Sequence, residues 1–237
     1  MPLNAPFGSL DGATALTQFA ITQTENLAEE IEEYELYNIP LPEHLSAGIG
    51  SLSTQLQSFR PDDDIQLFLR PGMDAQEIIY NNLEMAWYLS TLVYFHNRIN
   101  ELFLEDVYAV ADAILMCLLR AEEFKAEVEL ELMYRDEPVT FPAFVASCNA
   151  IDRESWAYWW RWIQEYDLPN IKAQWEVIQV IWEIMDETQE VGEADLSWVE
   201  IMQGPEIFRL STMLLYLSTN NGALIENNAS PRIDSSQ

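Results

Sequence analysis

Cysteine and histidine are scarce in this chain, and their scarcity excludes several kinds of site. The 237 residues contain only Cys117, Cys148, His44 and His96 of these two types. Two cysteines cannot form a disulfide framework, and no cysteine or histidine pair has the spacing of a zinc site. Each cysteine lies in an apolar helical pattern, so we expect both to be small buried side chains in a reducing compartment.

Basic residues are the second shortage. Lysine and arginine together number 11 against 40 aspartates and glutamates, which gives a formal net charge of -29. Nucleic-acid binding depends on basic side chains that neutralise phosphates, so we expect no direct contact with DNA or RNA. Anionic membrane surfaces are disfavoured for the same reason. Basic protein surfaces and cations are the partners that this charge favours.

Catalytic and targeting motifs are also lacking. The sequence has no G-x-S-x-G turn, no glycine-rich phosphate loop, no secretory signal in its first ten residues and no apolar run long enough to span a membrane. Residues 62–64 are three aspartates, as in the metal site of terpene cyclases, but Ile65 and Gln66 stand where that site needs a further carboxylate. We therefore predict no catalytic residue, no metal ligand and no cofactor.

Helical periodicity recurs along most of the chain, whereas no strand pattern is long enough to build a sheet. We predict a loose arm over residues 1–12, a single all-α domain of packed antiparallel helices over residues 13–217, and a disordered tail over residues 218–237. Helices are predicted over residues 13–37, 45–59 and 74–100, the last with Asp74 as its N-cap. Others begin at Asp106, which is also a predicted N-cap, at Asp152 and at Asn170. Asp195 is predicted to cap a short helix, and another covers residues 206–217.

Two of these helices carry dense acidic segments. In the first, Leu16 and Phe19 begin the apolar stripe that we expect to face the core, and glutamates occupy the opposite face. We interpret that acidic face as solvated, with a docking surface for a basic partner as the alternative. The helix from Asp106 is predicted to end in a second solvated acidic segment. The glutamates concerned are Glu29, Glu30, Glu32, Glu33 and Glu35 in the first segment and Glu122, Glu123, Glu127, Glu129 and Glu131 in the second.

Tryptophan is concentrated in residues 141–187, which hold most of the eight in the chain. Asp152 is the predicted N-cap of one helix, and Pro169 is predicted to end it because proline lacks an N–H. A second helix then follows with Trp175 and Trp182 at helical spacing. This much aromatic surface has to be packed, so we predict a helix hairpin held together by aromatic contacts. A polar linker is predicted over residues 188–194.

Four of these tryptophans and Trp198 are the candidate partner-binding residues, and the four are Trp156, Trp159, Trp160 and Trp182. Between Trp182 and Met202 apolar and acidic residues alternate as in acidic activation segments, which keep aromatic side chains exposed for partner grooves. Packing of Trp182 and Trp198 inside the domain is the alternative that we favour. A helical enzyme or ligand-binding protein with a pocket lined by Trp156, Trp159 and Trp160 remains the second functional hypothesis.

Several fragments, taken in order, resemble one known family. They are LVYFHNRI at residues 92–99, FPAFVASCNA at 141–150, the tryptophan-rich residues 159–162, NIKA at 170–173 and VIWE at 180–183. Ser197 and Trp198 are similar to a short tryptophan-bearing element near the end of the family's domain. Over residues 74–217 the chain resembles the C-terminal part of the fungal-specific transcription factor domain.

The resemblance implies a regulatory region of a zinc-cluster transcription regulator, located in the nucleus or in cytoplasm and nucleus. The six-cysteine cluster, basic linker and coiled coil that usually begin family members do not occur in this sequence. We therefore expect either a partial gene product or a non-catalytic regulator that acts through protein contacts without a DNA-binding head. The implied partner is a zinc-cluster factor or the transcription machinery, the implied target a secondary-metabolite or nutrient pathway, and a homo-oligomer stays open.

Overall fold

The computed structural model describes residues 13–61, 65–99, 104–191 and 197–203. In these ranges the chain forms eight α-helices and two 3-10 turns without any strand, which confirms the all-α fold of packed helices. The arm over residues 1–12, the three aspartates at 62–64, the helix over 206–217 and the tail over 218–237 lie outside the described residues. The α-helices are α1 Ala15–Leu36, α2 Glu43–Ser58, α3 Ala75–Arg98, α4 Leu104–Val128, α5 Phe141–Cys148, α6 Arg153–Ile163, α7 Pro169–Val191 and α8 Trp198–Gln203.

Helix α3 lies at the centre of the fold and packs against α1, α4 and α5. It begins after Asp74, whose carboxylate accepts a hydrogen bond from the backbone N–H of Gln76 at 3.0 Å, so the predicted N-cap is confirmed. Its buried side chains point in two directions. Trp87 and Tyr94 join the main core with α4, α5 and the tryptophans, whereas Phe95 packs against Ala20 of α1 and a leucine pair of α2.

A buried ion pair ties α1 to α3 and sets the rotation of α1. Arg98 Nε donates to Glu25 Oε1 at 2.9 Å, and the Tyr94 hydroxyl donates to the same oxygen at 2.5 Å. The face of α1 that carries Glu25 therefore points inward. Leu16 and Phe19 are about half exposed as a result, so the prediction that they face the core is wrong. The five glutamates near the end of α1 are exposed, as predicted.

Three helix boundaries differ from the predicted ones. Helix α4 begins at Leu104, so Asp106 lies inside its first turn and is not its N-cap. Pro169 does not end α6 but opens α7, because the fixed φ of proline suits the first helical position. Helix α7 continues to Val191, so the predicted linker is helical over its described part, residues 188–191.

The acidic end of α4 contains a buried ion pair that the sequence pattern did not indicate. Glu122 was predicted to be solvated but is 4% exposed. Its two carboxylate oxygens accept hydrogen bonds from Lys125 Nζ at 2.8 Å and from the Tyr166 hydroxyl at 2.7 Å. Lys125 Nζ also donates to the carbonyls of Asp136 and Glu137, at 3.3 and 3.1 Å. The pair therefore fixes the segment that leads from α4 towards α5.

Helix α8 is held by a cap and by one tryptophan. The backbone N–H of Ser197 donates to Glu200 Oε2 at 2.8 Å, and the N–H of Glu200 donates to Ser197 Oγ at 3.3 Å, which is a reciprocal capping box. Ser197 thus takes the capping position that was predicted for Asp195, a residue outside the described ranges. Trp198 is buried, and its Nε1 donates to Asn97 Oδ1 at 3.0 Å.

Candidate partner-binding site

Helices α6 and α7 form the predicted hairpin. Asp152 caps α6 by accepting from the backbone N–H of Ser155 at 3.1 Å, which confirms the predicted N-cap. After α6 a 3-10 turn, Gln164–Tyr166, leads to Asp167, which adopts a left-handed conformation with φ of 53°. This single left-handed residue ends the 3-10 turn before Pro169 starts α7.

Most of the predicted partner-binding tryptophans lie in the interior. Trp156, Trp159 and Trp160 are fully buried on α6, Trp198 is buried on α8, and Trp182 on α7 is partly exposed. The packing that we favoured for Trp198 is confirmed, and Trp182 packs against the same core from its edge. Four of the five side chains are therefore buried in the core in this structure, and contact of these five residues with a partner stays a prediction.

The tryptophan rings continue from the core to the surface along the hairpin. Trp175 stacks on buried Trp160 with centroids 6.3 Å apart, and it meets Trp182 edge to face at 5.5 Å. The indole N–H groups of Trp160 and Trp182 donate to the hydroxyl and the carbonyl oxygen of Ser147 at 2.8 and 2.9 Å. These contacts hold the rings of Trp175 and Trp182 in place where they reach the surface.

An open groove of about 610 Å³ lies between α6 and α7, with Trp175 and Trp182 as its aromatic part; we call it the α6–α7 groove. Trp156, Trp159 and Trp160 do not line it, so the tryptophans at this groove are not those of the predicted pocket. Trp175 was not among the predicted partner-binding residues. The remaining lining residues are Arg153, Ala157, Gln179, Glu183, Asp186 and Glu187.

The groove is acidic, and Arg153, the one cation among its described lining residues, already makes contacts there. Arg153 Nη1 donates to Asp186 Oδ1 at 2.6 Å and to the carbonyl oxygen of Trp182 at 3.4 Å. The guanidinium carbon of Arg153 lies 5.4 Å from the centroid of the Trp182 ring, within the range of a cation–π contact. Glu183 and Glu187 are exposed and add two negative charges to the rim.

Burial changes the pKa of several core residues. Burial raises the pKa of Tyr94 well above its usual range, and the neighbouring Glu25 carboxylate raises it further. Burial also raises the pKa of Cys148 strongly and that of Cys117 to about 11. Both cysteines are buried, as predicted, and stay protonated near neutral pH, which makes them poor nucleophiles.

The described residues contain neither a candidate metal site nor a candidate membrane span. No cluster of three or more His, Cys, Asp or Glu side chains in this part of the chain is placed to hold a metal ion. Nor does any described helix have the length and apolar character needed to cross a membrane.

Comparison with known proteins identifies the family of the chain. The family model described as the fungal specific transcription factor domain matches residues 17–213, which is most of the chain. The chain belongs to this family. The match includes α1 and α2, which precede the residues that carried the resemblance in the sequence. Fungal specific transcription factor domains belong to transcriptional regulators, so membership indicates a role in transcriptional regulation. Curated proteins and solved structures gave no match.

Proposed function

We propose that this chain is a non-catalytic transcriptional regulator of fungal type that acts by binding other proteins. Family membership supports the regulatory role. The observation that carries the binding mode is the α6–α7 groove, whose tryptophans reach the surface between carboxylates. Aromatic side chains bordered by polar groups are typical of protein interfaces. A catalytic site, by contrast, needs an enclosed pocket with converging acid and base groups, and this groove is open.

The net charge supports a protein as the partner. A chain of net charge -29 repels phosphate backbones, so we do not expect these residues to contact DNA themselves, and another protein is the partner that this charge favours. We propose a zinc-cluster factor or a component of the transcription machinery for that role, and the nucleus as the location. We extend the proposal to genes of secondary-metabolite or nutrient pathways, as the family resemblance implies.

A tethering assay tests this function. The chain is fused to an unrelated sequence-specific DNA-binding module, and a reporter gene with the matching sites is measured. We expect tethering to change reporter output, upward for an activator and downward for a repressor. The matched control is an unrelated folded protein of similar size and net charge on the same module. Output equal to that of the control would refute the regulatory role.

A second measurement tests the dependence on a partner. The purified chain is titrated against labelled duplex DNA at low salt, where phosphate contacts are strongest. We expect no binding, because the chain has few basic side chains to displace counterions. Tight binding to duplex DNA by the chain alone would refute the proposal that protein contacts bring it to genes.

A further inference from the structure

Arg153 shows how the α6–α7 groove accommodates a guanidinium group. This side chain makes a charged hydrogen bond to Asp186, a weaker one to a backbone carbonyl and a face contact with Trp182. Arginine is well suited to such a site, because its planar group can bond to a carboxylate and stack on an aromatic ring at once. The groove therefore combines the chemical groups that recognise arginine.

Arg153 uses only part of this recognition capacity. Trp175 lines the same groove beside Trp182, and no cation within the described residues forms an ion pair with Glu183 or Glu187. With three carboxylates against one guanidinium, the groove keeps an excess of two negative charges. Its volume of about 610 Å³ lies inside the range of ligand pockets, about 300–1,000 Å³.

The aromatic groups are already fixed in position. Trp175 is stacked on Trp160, and Trp182 is held by the hydrogen bond from its Nε1 to Ser147. The conformational entropy lost in ordering these rings when a ligand binds is therefore small. An anionic ligand, by contrast, would be repelled by the carboxylates of the rim.

We propose that the α6–α7 groove binds an arginine-bearing basic segment of a partner protein. The incoming guanidinium lies against Trp175 and bonds to Glu183 and Glu187, next to the position that Arg153 occupies. This inference rests on the proposed function, because it specifies the chemistry of the partner that the regulator contacts. Charge complementarity selects the occupant, since the groove and the whole chain are both acidic.

Fluorescence anisotropy with a labelled peptide of alternating arginine and glycine tests this proposal. The purified full chain is compared with two variants that lose the same charge, Glu183→Gln/Glu187→Gln in the groove and Glu29→Gln/Glu33→Gln on the exposed face of α1. We expect the groove variant to bind about fivefold more weakly, since each exposed pair contributes about 0.5 kcal/mol, and the α1 variant less than twofold. Equal losses in both variants would show diffuse attraction to an acidic chain and overturn the proposal.

Two further comparisons test the guanidinium itself. Peptides in which citrulline or lysine replaces arginine should bind more weakly, because citrulline has no charge and lysine has no planar group to stack. Equal binding of either peptide would overturn the assignment of arginine. Arg153→Gln should bind the arginine peptide more tightly, because it removes the positive charge that lies next to the proposed position of the incoming guanidinium. Unchanged or weaker binding by this variant would contradict the proposed position of the guanidinium. The circular dichroism spectrum of each variant should match that of the unaltered chain, which checks that the variant is folded.

The peptide assay and the tethering assay separate the two proposals. Peptide binding needs only the purified chain, whereas the reporter measures regulation whatever surface the partner uses. An active reporter without groove-dependent peptide binding would refute the groove and leave the regulatory function in place. An inactive reporter with groove-dependent binding would refute the regulatory function and leave the groove in place.

Discussion

Replacing Lys125 with methionine should destabilise the domain by about 3–5 kcal/mol, the cost of removing one partner from a buried ion pair. The side chains of Lys125 and Glu122 are only 3% and 5% exposed. Methionine preserves most of the apolar stem, so the loss comes from the charge and its hydrogen bonds. It leaves the Glu122 carboxylate without its cation, and it removes the donor from the carbonyls of Asp136 and Glu137.

Urea unfolding followed by tryptophan emission measures this loss. With a slope of about 2 kcal/mol per M, the unfolding midpoint should fall by about 1.5–2.5 M. Arg153→Met is the matched control, because its ion pair with Asp186 is as short, at 2.6 Å, but the two side chains are 29% and 60% exposed. We expect that control to lose less than about 1 kcal/mol.

A double variant separates charge from packing. Glu122→Gln added to Lys125→Met removes the uncompensated charge, so it should recover at least about 1 kcal/mol of the loss. If Lys125→Met costs no more than Arg153→Met, the pair is not buried and the reasoning fails.

Three other predictions concern the core. Trp160→Phe should cost about 1 kcal/mol more than Trp159→Phe in urea unfolding, because only Trp160 loses a hydrogen bond from Nε1; equal costs would contradict this. Cys117 and Cys148 should react with a thiol reagent only as fast as the chain opens, and rapid labelling of the native chain would show that they are accessible. Burial lowers the pKa of His96, so the unfolded chain binds its proton more readily and stability falls as pH drops below about 6.5. His96→Gln should reduce this fall in the melting temperature between about pH 7 and pH 5, and an unchanged fall would refute the assignment.

Local signals in the sequence were enough to predict the fold class and several helix starts. Asp74 and Asp152 were predicted as N-caps because a short acidic side chain before an apolar periodic segment can bond the free N–H groups. Pro169 was placed at the wrong end of a helix because proline is compatible both with stopping one helix and with the first position of the next. The sequence around Pro169 is compatible with either position, and the structure shows which of the two the residue takes.

Contacts between distant residues explain the remaining errors. Glu25 and Arg98 lie 73 positions apart, and their pairing sets which face of α1 is buried. Glu122 was expected in solvent because it lies among other glutamates, and its burial depends on Tyr166, which is 44 positions away. Such pairs cannot be inferred from helical periodicity, which describes each helix by itself.

The sequence predicted only part of the aromatic lining of the groove. Trp182 was a predicted partner-binding residue and does line it, but Trp175 was not chosen. A signal was present, since Gln179, Glu183 and Glu187 follow Trp175 at intervals of four and so lie on the same face of the helix. An aromatic residue followed by polar and acidic residues on one face indicates an exposed edge. Which of the tryptophans reach that edge could be decided only with the structure.

Two rows of side chains on α7 differ in how freely they can be substituted. Its inward row, Ile171, Ile178 and Ile181, is buried and cannot change size without cost. Its neighbouring row through Gln179, Glu183 and Glu187 faces the groove, where substitutions leave the interior untouched. For the proposed partner site, mutation of this single row would therefore change the choice of partner while the scaffold behind it stays the same.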